Sequence, residues 1–128
     1  MREITKILTL PLSGTVLDFR LTKLDAFSGV SLLRMLSKLP AETDFSGFIS
    51  ALPEEDLRRL MTVCLEHVEV RLPAGWNPVM TRGEWSYIEL EHDPAACLRL
   101  TVEEVLWTLE GFFAGEDGKP PPVAQKAL

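Results

Sequence analysis

Pro53-Glu54-Glu55-Asp56-Leu57-Arg58-Arg59-Leu60-Met61-Thr62-Val63-Cys64-Leu65-Glu66-His67-Val68 carries the clearest periodicity in the chain. Proline suits a first helical position, where its missing N–H costs nothing. The three acidic residues that follow complement the positive end of a helix dipole. Leu57, Leu60, Met61, Cys64, Leu65 and Val68 then recur at i, i+3, i+4, i+7, i+8 and i+11, one face of an α-helix. The pattern predicts a helix to about His67 and tips the fold toward helices.

Working outward, Asp25 is placed to cap a helix from Ala26. Phe27, Val30, Leu33 and Leu36 or Met35 form its expected stripe, Leu32 and Leu39 widen it, and Pro40 ends it. Phe45, Phe48 and Ile49 suggest a short second helix, weakened by Gly47. Asp93-Pro94 repeats the cap-plus-proline signal, and Leu98, Val102, Val105, Leu106, Leu109, Phe112 and Phe113 predict a helix from Pro94 to about Phe113, with Gly115 as its stop. Before all of these, Ile4–Leu10 and Val16–Leu21 flank a turn at Pro11-Leu12-Ser13-Gly14, which reads as a β-hairpin. A hairpin alone is marginal in water and needs a covering layer. Val68–Leu90 is the least regular stretch. Val68–Leu72 suits a short strand, Pro73-Ala74-Gly75 and Asn77-Pro78 read as breakers, and Thr81-Arg82-Gly83 as another turn. Some of the rings of Trp76, Trp85 and Tyr87 are expected to lie over the core as a lid. The resulting expectation is an α+β domain, mainly α: an N-terminal β-hairpin and about four helices in one compact unit over residues 1–115, with 116–128 as a mobile Pro-containing tail.

Composition bounds the function. The chain has 128 residues, 46% hydrophobic and 25% charged. That is enough apolar material for one core. Lys and Arg number 13 against 19 Asp and Glu, a formal net charge of −6, which disfavours generic nucleic-acid binding. No run approaches the ~20 apolar residues of a membrane span, and the N-terminal stretch lacks the features of a secretory signal. An intracellular protein with two reduced core cysteines, Cys64 and Cys97, is the expectation.

The search for chemistry yields little. His67 and His92 fall at helix boundaries and read as structural. A metal site from Cys64 and His67 at i, i+3, completed by Cys97 and His92, is the sharper alternative. Against it stands Cys64's place in the apolar stripe. Ser28-Gly29 and Ser46-Gly47 lack a nucleophile elbow, and Gly118-Lys119 lacks a phosphate-binding loop. Glu103-Glu104 and Glu89/Glu91 read as solvated carboxylates. No catalytic, cofactor-binding or metal residue is assigned, and a non-enzymatic role is expected. The aromatic surplus near helix ends, Phe45, Phe48, Trp107, Phe112 and Phe113, either fills one small core or marks the candidate self-association or partner-binding face.

One resemblance adds to this. The hairpin leads into Leu24-Asp25-Ala26-Phe27-Ser28-Gly29-Val30-Ser31-Leu32-Leu33, followed by Leu52-Pro53-Glu54-Glu55-Asp56-Leu57-Arg58-Arg59-Leu60. A Trp-containing connector comes next, and Val105-Leu106-Trp107-Thr108-Leu109-Glu110-Gly111-Phe112-Phe113 closes the pattern. Over about residues 3 to 115 this order resembles the small tail assembly chaperones of long-tailed bacteriophages and prophages. The resemblance implies an acidic, mainly helical, oligomerising assembly factor of the host bacterial cytoplasm, absent from the mature virion. Such a factor binds the tape measure protein, keeps it soluble and helps recruit tail tube protein. The competing expectation is a small adaptor for another protein partner.

Overall fold

The computed structural model describes residues 4–37, 47 and 50–113, the side chains of 111–113 excepted. In chain order the elements are β1 (Thr5–Leu12), β2 (Thr15–Thr22), α1 (Ala26–Leu36), α2 (Glu54–Leu65), β3 (Val68–Leu72), β4 (Gly75–Pro78), β5 (Met80–Thr81), β6 (Glu84–Trp85), α3 (Ile88–Glu91) and α4 (Pro94–Phe113). The strands β1-β2-β3-β4 form one antiparallel sheet in that order, and β5-β6 a separate two-stranded ribbon.

The N-terminal hairpin is present, and its turn is tighter than the sequence suggests. Leu12 pairs with Thr15, so only Ser13 and Gly14 connect the strands, both at positive φ (52° and 82°). That is the backbone of a primed turn, whose twist matches the flanking strands. Arg82 and Gly83 repeat it between β5 and β6, at φ 52° and 78°.

The mainly helical expectation is overturned. The hairpin is half of a four-stranded sheet, and the residues read as breakers build its other half. Val70 pairs with Asn77 and Glu69 with Pro78. Val79 N–H donates to Val68 O at 3.1 Å, so alternate residues of β4 turn their backbone groups toward β3. Pro78 falls on the other alternation. The N–H it lacks would have pointed away from the sheet, the position at which an edge strand tolerates proline. Pro11 on β1, the opposite edge, is placed in the same way.

Between β2 and β3 the chain makes its helical excursion, then returns beside β2, with Leu21 opposite Val68. The helices α1, α2 and α4 match the expected segments to within three residues at each end. The short helix expected around Phe45–Ile49 lies largely outside the described residues, although Gly47 and Ser50-Ala51 have helical backbone. The expected tail 116–128 lies wholly outside them. The four-residue α3 was not expected.

Period-2 alternation sends Leu10, Leu12, Phe19, Leu21, Val68 and Val70 inward. They pack with Leu65, Val79, Met80, Leu90, Ala96, Cys97 and Leu100. A second cluster joins α1, α2 and the later part of α4 through Leu32, Met35, Leu36, Leu60, Cys64, Val105 and Leu109. Both α2 and α4 thus serve two cores along their length.

On α4 the buried side is Ala96, Cys97, Leu100, Thr101, Glu104, Val105 and Leu109. Of the expected stripe, Val105 and Leu109 lie on this side, whereas Leu98 and Val102 are each rotated from Cys97 and Thr101 by about 100°, one residue of helix. Glu104, read as solvated, is fully buried.

Candidate interaction surfaces

Each histidine and cysteine has a structural place. His67 Nδ1 lies 2.8 Å from Val63 O, and Nε2 lies 3.3 Å from Asp25 Oδ1. His92 follows the last turn of α3. Both cysteines are free and buried. Burial pushes both thiols up, and the Glu104 carboxylate adds to the rise at Cys64. Cys97, which donates its S–H to Leu90 O at 3.2 Å, is raised to about 11 by burial and by Asp93. Among the described residues, no three His, Cys, Asp or Glu side chains gather as a metal would require.

Of the candidate partner-binding aromatic residues, Trp107 is partly buried against the sheet-side core. The ammonium groups of Lys6 and Lys23 lie over its ring, 5.0 and 5.4 Å from the centroid. Cation–π contact of this kind covers an aromatic face. Phe45 and Phe48 lie outside the described residues, as do the side chains of Phe112 and Phe113.

A different apolar surface is on show. Phe27 is 88% exposed and Val30 49% exposed. They stand one turn apart on α1, in a row with the exposed Ser31 and Arg34. Phe27 and Val30 belong to the apolar stripe expected of this helix. The buried face of α1 is instead Gly29, Leu32, Met35 and Leu36. With apolar residues on both sides of one helix, periodicity alone does not say which side faces inward. Asp25 fixes the entry to this helix: its Oδ2 accepts the Ser28 N–H at 3.2 Å. That bond, with His67 beside it, holds the Asp25 carboxyl below the usual carboxylate range.

Ile4, Ile7, Val16 and Ile88 are exposed as well. On the outer face of the sheet, the Arg20 guanidinium donates from Nε and Nη2 to Glu69 Oε1 at 2.9 and 2.7 Å and lies 4.6 Å from the Trp76 ring centroid. Arg71 lies 5.7 Å from the same ring. Trp76 is therefore outside the core, whereas Trp85 and Tyr87 pack against it, so two of the three rings lie over the core, as expected of some of them. A groove of about 610 Å³ runs between α2 and the β5-β6 ribbon, floored by Leu57, Met61, Met80 and Trp85.

No described helix is long and apolar enough to cross a membrane. Comparison with family models, curated proteins and solved structures finds no match to this chain.

Proposed function

We propose that the chain is a non-enzymatic tail assembly chaperone of a long-tailed phage or prophage. It binds the tape measure protein, holds it soluble in the host cytoplasm and helps recruit tail tube subunits. The order of motifs around Asp25, Pro53 and Trp107 supports this reading. The observation that carries it is the exposed apolar pair Phe27 and Val30 on α1, presented to solvent on an acidic protein. A holdase needs such a surface for the apolar side of its client. It also needs net charge to keep the complex dispersed. An amphipathic client helix docks on such a pair through residues at i, i+3 and i+4.

The test is co-expression with the tape measure protein that this reading requires a neighbouring gene to encode. The wild-type protein is expected to shift that product into the soluble fraction. Phe27→Ser with Val30→Ser is expected to lose this effect while keeping the wild-type circular dichroism and melting temperature. A client that stays insoluble beside the wild-type protein overturns the proposal.

A further inference from the structure

β1 is an edge strand, paired only with β2 among the described residues. The parity of its hydrogen bonds follows from the register. Leu12 and Thr15 close a two-residue hairpin, and Lys23 N–H donates to Ile4 O at 2.8 Å. Even-numbered residues of β1 therefore direct their backbone groups to β2, and odd-numbered ones direct theirs outward. Thr5, Ile7 and Thr9 each present an N–H and a C=O at the free edge, while Pro11 presents only a C=O.

The two edges of the sheet are guarded differently. β4 is four residues long and carries Pro78 at an outward position. β1 is eight residues long, and its proline comes only after Thr9. Natural edges are usually blunted by lysine, proline or a bulge. In the run Thr5-Lys6-Ile7-Leu8-Thr9, the outward-facing residues Thr5, Ile7 and Thr9 include no charge and no proline, and the inward-pointing Lys6 is the one guarding device the run carries. Its ammonium is bonded to Glu103 at 3.2 Å. Thr5, Ile7 and Thr9 are exposed, Ile7 by 53%.

The geometry points to β1 as a dimerisation edge: two copies pair antiparallel about a two-fold axis through Ile7, extending the sheet across both molecules. The run is self-complementary in this register. Ile7 exchanges both hydrogen bonds with Ile7 of the second copy, and Thr5 does the same with Thr9 of the second copy. Every outward N–H from Thr5 to Thr9 is satisfied, and the donorless Pro11 falls just beyond the paired run. On the outer face the two Ile7 side chains meet at the axis, flanked by Thr–Thr pairs, a favourable cross-strand combination. On the inner face Lys6 lies opposite Leu8 of the second copy, its charge already matched by Glu103. An isologous contact of this kind closes at two and leaves β4 as the outer edge of each half.

The inference does not depend on the chaperone reading, and its test uses this protein alone. Sedimentation velocity over a concentration series is expected to show a dimer. Ile7→Lys sets like charges on the axis and is expected to weaken the dimer by about tenfold or more. Its circular dichroism should be unchanged, because Ile7 is exposed within one copy. An equimolar mixture of Ile7→Lys and Ile7→Glu is expected to restore the dimer as a heterodimer. Amide exchange at Thr5, Ile7 and Thr9 should slow with concentration in the wild type only. A monomeric wild type, or an Ile7→Lys variant as dimeric as the wild type, overturns the proposal. So does protection of these amides only when a client is present, which would assign the edge to a partner's strand.

Discussion

The Lys6 ammonium bonds Glu103 at 3.2 Å, although the adjacent carboxyl, Glu104, is the one in need of a partner. Glu103 is part-exposed on α4, whereas Glu104 is fully buried and neither of its oxygens has a hydrogen-bond partner among the described residues. Burial raises Glu104 to about 8, and Lys6 draws it down only in part. The group is therefore largely protonated in the folded chain at neutral pH.

Stability should then fall as pH rises. The folded-state pKa lies above that of an unfolded glutamate, so the folded chain holds the extra proton between about pH 4.5 and 8. The contribution is fully present below that window, is lost across it and is constant above it. Each unit of displacement corresponds to about 1.4 kcal/mol. Denaturant melts at pH 5 and pH 8 should differ by a few kcal/mol through this residue, an upper-end figure because water entry relaxes such sites. Glu104→Gln should flatten the difference. Glu104→Leu should stabilise the protein at pH 8 by about 1–3 kcal/mol, since an unpaired buried polar group costs that much. An unchanged pH profile in Glu104→Gln would contradict the assignment.

Glu104 also shows where the sequence was legible and where it was not. The caps Asp25 and Asp93, the helix after Pro53 and the first hairpin are local signals, and each lies where the residues put it. The second hairpin was hidden because Pro73, Gly75 and Pro78 look like breakers unless it is known that β4 is an edge and that Pro78's nitrogen faces away from β3. Sheet position is a long-range fact. The phase of the first half of α4 was missed for a related reason, although Val105 and Leu109 were read correctly. Apolar residues surround this helix, so Leu98–Val102 and Cys97–Leu100 compete as stripes, and only packing against the sheet chooses. A signal for Glu104 did exist: it stands four residues after Leu100 and seven after Cys97, on their face. On α1 the same two-sidedness concealed Phe27 and Val30, now the best candidates for the interaction surface.

Both thiols should be inert in the native protein. Cys64 and Cys97 are 0% and 3% exposed, and burial keeps them in the S–H form. Only the thiolate attacks a disulfide or an alkylating reagent. A thiol-reactive dye at neutral pH should label neither residue over the time in which denatured protein labels both. Labelling of Cys64 faster than global unfolding would mean that the α2–α4 contact opens locally.

The Ser13-Gly14 turn makes a sharper claim about backbone than about packing. A Cβ on Gly14 would meet no atom within 4 Å, so space is not the constraint. The constraint is its φ of +82°, where an L side chain is strained by about 1–2 kcal/mol. Gly14→Ala should lower stability by that amount, and Gly14→Asn by less, because asparagine tolerates the left-handed region. If alanine and asparagine cost the same, the turn has changed type rather than absorbed strain.

Asp25 joins two elements that are distant in sequence. Its Oδ2 caps α1 at Ser28, and its Oδ1 meets His67 at the end of α2. Asp25→Ala removes both contacts and should cost about 1 kcal/mol, the usual value of an N-cap. Asp25→Asn keeps a capping oxygen but not the charge, so its loss should be smaller. The pH sign is opposite to that of Glu104. The Asp25 carboxyl is held below its ordinary value by the Ser28 and His67 bonds. Its contribution is therefore present above the ordinary carboxylate pKa and disappears as pH falls through the lowered folded value. Acid titration of stability in the wild type and in Asp25→Asn should diverge only in that acidic range. Divergence near neutral pH would contradict the assignment to the Asp25 carboxyl.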